Sequence, residues 1–425
     1  MLYDEAFKIE CKMNPKDFTR DRKLPFARLV LFMLNLVRKT LQVELDRFFA
    51  LLGLHEQPPA SKQAFSKARM KLSGQTFIRL NDRLVEEFYA DGQFRHSKGY
   101  RLLGVDGSTI QLPASDEITE VYGGQPGASF PMARASVVFD VENKITVDAV
   151  LAPYVSDERV LALEHLQRVA GAAGVDDIWI FDMGYPAFYL MAALHQAQRQ
   201  FVVRIYAGFC KEVDAFLAGG APDGRIEIDV FAEGRVVNPK FREYLPELDR
   251  CVLRLRIVVL DLPQGNRVIL LTSLLDPTLF TCEDLGEIYR QRWPVETQYD
   301  LYKNVVELED FTGLSALSVA QDFHATVLAC NINALILNDI DQELEAENAL
   351  RSDRKHAYKA NRNLSIAKLK DNVIRLLLGE VEVVSFYERL KREIKRNKVP
   401  IRPGRSYPRK RRHKSKYSMN KKRAL

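Results

Sequence analysis

Two short apolar runs, each closed by an aspartate, most constrain how this chain can fold. Leu102 to Val105 leads into Asp106 and Gly107, and Ile178 to Phe181 leads into Asp182, with Gly184 two residues on. Uninterrupted apolar runs of this length suit strands buried on both faces. Both strands are predicted to stop at their aspartates. Around them the pattern predicts a first strand over 100–105 and a hairpin of 135–141 and 144–151 about Glu142-Asn143. It continues with a helix over 157–172, the strand 178–181, a helix over 186–197 and a strand over 201–205. That series predicts an α/β fold, a mixed sheet with helices on both faces. In such sheets ligands and chemistry collect beyond strand ends, in loops held by the scaffold. Asp also serves as an Asx-turn residue or helix N-cap, so either aspartate alone has a structural alternative.

A third carboxylate lies in the segment from Tyr289 to Lys303. Tyr289, Arg292, Glu296 and Lys303 are spaced 3, 4 and 7 apart, and Tyr299 shares their phase. On one continuous α-helix those steps form a single stripe. A stripe at this spacing is ordinarily apolar. Here it carries a phenol, a guanidinium, a carboxylate and an ammonium, which on its own also fits an exposed face laced with ion pairs. Two Asp and a Glu without a Cys/His cluster point to a hard cation, since Mg²⁺ prefers oxygen ligands. Two such ions can clamp the attacking and leaving oxygens of an in-line phosphoryl displacement. The reaction class this predicts is phosphodiester hydrolysis and strand transfer.

With these residues the chain resembles a bacterial insertion-sequence transposase of the Asp-Asp-Glu (DDE) type, in the insertion-sequence-four family with the Tyr-Arg-Glu-Lys motif. Tyr289, Arg292, Glu296 and Lys303 match the motif without a gap, Val105-Asp106-Gly107-Ser108 matches the first-Asp block, and Phe181-Asp182-Met183-Gly184 the second. Met183 departs from the Arg of many relatives. The resemblance spans about residues 20–420. It implies a ribonuclease H-like core and two Mg²⁺ (or Mn²⁺) ions held by catalytic Asp106, Asp182 and Glu296. It also implies that Tyr289, Arg292 and Lys303 grip the DNA end. The implied function is cutting an element at its terminal inverted repeats and joining the 3′ ends to target DNA, with a homodimer in the synaptic complex. Two alternatives are a Mg²⁺-dependent endonuclease that does not join, and a catalytically silent DNA-binding repressor.

Outside the core, residues 1–95 are expected to form a helical DNA-binding domain. Helices over about 29–37 and 44–52 precede one capped by Ser61, whose exposed face carries Lys62, Lys67, Arg69 and Lys71. The last two resemble a helix-turn-helix that offers Lys62, Gln63 and Lys67 to a groove. Residues 96–340 form the catalytic domain, with 206–275 predicted as an inserted all-β subdomain of alternating runs and Pro/Gly turns. Helices are expected over 318–338 and 366–378, with a polar joint over 339–359 between them. Residues 341–425 are the C-terminal helical region. Trp293 is expected as a core anchor of the Glu296 helix, with base stacking as the alternative.

Charge is distributed unevenly. Residues 391–425 hold sixteen Lys/Arg and one acid, +15 against the chain's +6, so the other 390 residues sum to −9. A tail of this kind, with Arg409, Lys410, Arg411 and Arg412 at its centre, is expected to engage phosphates with little regard to sequence. The five scattered Cys predict neither a disulfide framework nor a zinc site. The opening residues do not resemble a signal peptide, and no apolar run is expected to reach the ~18–20 residues of a membrane span. The predicted location is cytoplasmic, at the bacterial nucleoid.

Overall fold

β1 (Tyr100–Gln111) is the third strand across an eight-stranded mixed sheet in the computed structural model. The other strands are β2 (Met132–Asp140), β3 (Ile145–Pro153), β4 (Asp176–Phe181), β5 (Gln200–Ile205), β6 (Asp223–Asp229), β7 (Val252–Asp261) and β8 (Arg267–Thr272). Their order is β3-β2-β1-β4-β5-β8-β7-β6. The structure describes residues 1–20, 22–54, 58–172, 174–232, 241–246, 248, 250–261, 267–351, 354–370, 372–378 and 382–402. They fall into two compact units. One contains Leu84–Ile110 and Ala133–Tyr299; the other contains Met1–Arg83, Gln111–Met132 and the described residues from Asp300 onward.

Apart from Gln111 and Met132, the sheet belongs to the first unit. β2 and β3 form the expected antiparallel hairpin, while β4 is parallel to both β1 and β5. Leu102, Leu103, Val105, Ile178, Trp179, Ile180 and Phe181 are all buried. Burying each large apolar side chain contributes roughly 1.5–3 kcal/mol, which explains why these runs carry no polar interruption. The helix Glu158–Arg168 packs on β3, and Phe188–Gln196 on β5 and β7.

Residues 206–275 differ from the all-β expectation. They include the helix Lys211–Ala218 and the short helix Phe241–Tyr244, and β6, β7 and β8 continue the same sheet through β5. Alternation in the strands was legible, but the single buried Val213 of the first helix gives little helical signal.

In the second unit the helices Phe26–Leu34, Leu41–Leu51 and Lys62–Arg69 appear where expected, the last with the Ser61 hydroxyl accepting from the Ala64 amide. The polar joint expected over 339–359 is largely absent, because one 35-residue helix runs from Ala316 to Leu350. Its acidic end is paired rather than loose. Lys391 and Lys395, on the helix Val383–Arg396, bond Glu343; Lys395 and Lys398 bond Glu347 at 2.8 and 3.0 Å. These cations hold Glu347 down to about 2. Against expectation, this helix is long and apolar enough to cross a membrane by length and composition; 83% of its apolar window is buried within the protein.

Candidate active site

Asp106 and Asp182 are brought side by side by strand register. The parallel pairing of β1 with β4 ends at Gly104 opposite Ile180, and each aspartate follows two residues later. Side chains alternate along a strand, so both leave the sheet on one face just past the paired region. β1 does not stop at Asp106 as predicted but runs on to Gln111. The apolar run ends there because the strand leaves the fully covered part of the sheet: Asp106 to Thr109 are half-buried.

The third carboxylate arrives on a broken helix. The expected single helix is two, Cys282–Arg290 and Pro294–Asp300, followed by a π-helical turn Leu301–Val305. Pro294 has no amide proton to continue an α-helix, and it suits a first helical position. Tight bonds bridge the break: Arg292 to Tyr289, Trp293 to Arg290 and Glu296 to Trp293. Gly104 admits this helix closely, since a Cβ there would stand 2.5 Å from Val295 Cγ2. The Tyr299 hydroxyl, 3.0 Å from the Asp106 carbonyl and 3.1 Å from that of Ala135, ties the helix to both strands.

Arg292 stands among all three acids. Its guanidinium is 2.9 Å from Glu296, 3.7 Å from Asp182 and 4.0 Å from Asp106, with the side chain only 8% exposed. The Tyr289 hydroxyl donates to Asp182 at 3.1 Å. The structure therefore brings together Asp106, Asp182, Tyr289, Arg292 and Glu296. Lys303 lies on the π-helical turn, assigned to the other unit. Its predicted phase held for an unbroken α-helix.

Burial pushes the Asp106 carboxyl up to about 6. Arg292 and the Gly107 amide pull it down; Glu296 and Glu158 push it further up. Burial raises the Tyr289 phenol too, helped by the charge of Asp182. For Arg292 burial works against the charge, but the carboxylates outweigh it and the guanidinium is held more firmly protonated. Among the described residues no three Asp, Glu, His or Cys side chains converge closely enough to hold one ion as they stand. They converge on a guanidinium instead. A cation already occupies the focus of an all-oxygen donor set, and such a set fits a hard divalent ion.

Other expectations resolve differently. Trp293 is 60% exposed and is no core anchor; the break before Pro294 turns it outward. Arg69, placed on the exposed helix face from sequence, is buried. It bonds Gln321, Thr312, the Ser318 carbonyl and Asp322 at 2.6–3.0 Å. Lys62 and Gln63 are exposed as expected. Gln63 and Lys67 line a cleft of about 910 Å³ whose other walls include Lys16, Arg20, Lys23 and Lys71. Arg409, Lys410, Arg411 and Arg412 lie outside the described residues.

The sheet thus sets two aspartates side by side, and a helix brings a glutamate to them. The family model described as the transposase DDE domain matches residues 97–332, more than half of the chain, and the chain belongs to that family. It is a DNA transposase, of a family that cleaves and transfers DNA strands with divalent metal. Among curated relatives it is 22% identical over 325 residues to the transposase InsG for insertion sequence element IS4 of Escherichia coli (strain K12). The match covers 74% of this chain and 70% of that protein, in keeping with the insertion-sequence-four motif. Among solved structures, a piggyBac transposase synaptic complex with hairpin DNA aligns over 93% of this chain and 80% of that one, at 12% identity and a TM-score of 0.42.

Proposed function

We propose that Asp106, Asp182 and Glu296 are the catalytic carboxylates and hold two Mg²⁺ (or Mn²⁺) ions on a ribonuclease H-like core. The observation that carries this is their convergence on Arg292. Bound there, the ions would activate the attacking oxygen and stabilise the leaving one. The chain's own residues do the rest. Arg292, relieved of the acids once they are neutralised from elsewhere, offers a planar fork to a phosphate. Tyr289 holds Asp182 in place and presents its ring to the DNA end, and Lys303 supplies a mobile charge. Exposed Trp293 offers a face on which a base can stack.

The reaction inferred is cleavage at the element's terminal inverted repeats, followed by joining of the 3′ ends to target DNA. Residues 1–95 would bind the ends, with Lys62, Gln63 and Lys67 reaching base edges and the cations of the adjoining cleft engaging phosphates. Residues 96–340 would perform the chemistry. Residues 341–425 would add a basic tail, through Arg409, Lys410, Arg411 and Arg412, that clings to DNA at the nucleoid. Synapsis of two ends implies a homodimer on DNA. The test is incubation of the protein with Mg²⁺, end DNA and a supercoiled target. Joined products at the 3′ ends are expected. Efficient cutting with no joined product would make the protein a nuclease instead.

A further inference from the structure

Glu158 opens the helix Glu158–Arg168 and lies against the residue that follows Asp106. A Cβ at Gly107 would fall 2.6 Å from Glu158 Oε1, so the carboxylate rests directly on that glycine. The Gly107 amide in turn donates to the Asp106 carboxylate. Arg134, on β2, closes the chain of contacts at 2.7 Å from Glu158 Oε1, and both side chains keep a quarter or so of their surface exposed, 24% and 29%. Two polar atoms beside this pair have no protein partner: Arg134 Nε and the hydroxyl of Tyr185, which is 1% exposed. Glu158 and Asp106 are the charges that act most on that phenol. Buried polar atoms left unpaired are uncommon and costly in a folded chain. Their presence here marks a place kept for something other than packing.

We propose that Glu158 is a fourth acid of the catalytic centre, a positioning residue that acts through Gly107 and Asp106 and is held in check by Arg134. The charge balance supports it. Asp106, Asp182, Glu296 and Glu158 outnumber the guanidiniums about them, Arg292, Arg134 and the Arg204 beside Tyr289, so the centre keeps a net negative charge to which Glu158 contributes. Glu158 therefore helps recruit a cation before DNA brings its own phosphates. This inference rests on the metal site proposed above.

The two members of the pair have opposite expected effects, which a merely structural ion pair would not show. Mn²⁺ binding to the DNA-free, full-length protein is measured by calorimetry or electron paramagnetic resonance, alongside melting temperature in EDTA. Glu158→Gln should weaken Mn²⁺ roughly fivefold, the order expected for one screened charge. Arg134→Gln should tighten it by a similar factor, and Glu158→Asp should recover part of the loss. The Mn²⁺ concentration giving half-maximal cleavage should move in the same directions. Equal destabilisation by Glu158→Gln and Arg134→Gln, with the Mn²⁺ affinity of both unchanged or weakened alike, would overturn the proposal. Asp106→Asn separates the layers. If it loses Mn²⁺ and Glu158→Gln does not, only the role of Glu158 fails; if Asp106→Asn binds Mn²⁺ as wild type, the metal site itself is wrong.

Discussion

Replacing Asp106 by Asn should stabilise the metal-free protein at neutral pH. The folded chain holds the Asp106 carboxyl at about 6 instead of 3.8, chiefly through burial. Folding therefore favours the protonated form. Below pH ~4 the group is protonated in both states and contributes no penalty. Between the two values the folded state binds the proton that the unfolded state has lost, so stability falls as pH rises. Above pH ~6 the penalty is complete, at most about 3 kcal/mol by the free energy of a pKa difference of this size. Asn removes the charge, keeps nearly the same shape and still accepts from the Gly107 amide. Urea unfolding in EDTA, followed by tryptophan fluorescence, reports the relevant unit, since Trp179 and Trp293 both belong to it. The variant should exceed wild type by about 1–3 kcal/mol at pH 8, with the gap closing toward pH 4. A variant less stable than wild type at pH 8, by a margin that does not change with pH, would refute the electrostatic argument.

Three further outcomes follow from the geometry. Arg69→Met leaves Asp322 buried without its partner and should cost about 3–5 kcal/mol of stability, read as a lowered melting temperature; weaker end binding with an unchanged melt would place Arg69 in the DNA interface instead. Trp293→Ala should leave the melt unchanged and weaken end complexes by about 1–3 kcal/mol, whereas a lowered melt with unchanged affinity would mean that the indole packs. Removing residues 403–425, which spares the Lys398–Glu347 pair, should lower affinity for end and random DNA alike, while replacing Lys62, Gln63 and Lys67 together should erode the ratio between them; loss of preference on tail removal alone would move specificity to the C-terminus.

The convergence of the three carboxylates was legible because its supports are local. A buried strand declares itself by an unbroken apolar run, and an acid at its end is conspicuous. Neighbouring strands then need only a common register, as Gly104 opposite Ile180 provides. What was hidden depends on partners remote in sequence. The acidic stretch after Asn338 resembled a joint because the lysines that neutralise it lie some fifty residues on, at Lys391 to Lys398. Arg69 matched a solvent-facing helix position until Asp322 supplied its counter-charge. A tryptophan suits a core on composition alone, and it is the proline behind Trp293, itself visible in the sequence, that turns the indole outward. Glu158 does not stand out in the sequence, because an acid in the first turn of a helix is ordinary. Only the missing side chain at Gly107, matched to it in space, sets it apart.

The central claim is that Asp106, Asp182 and Glu296 carry the chemistry and not the grip on DNA. Single-turnover cleavage of end DNA in Mg²⁺, paired with end binding by the same preparations, tests it directly with Asp106→Asn, Asp182→Asn and Glu296→Gln. Each variant should cut slower by roughly three orders of magnitude or more while binding ends at least as tightly as wild type, since an interaction needed only for the chemical step is removed. Cleavage by Glu296→Gln at near wild-type rate, with binding intact, would contradict the account.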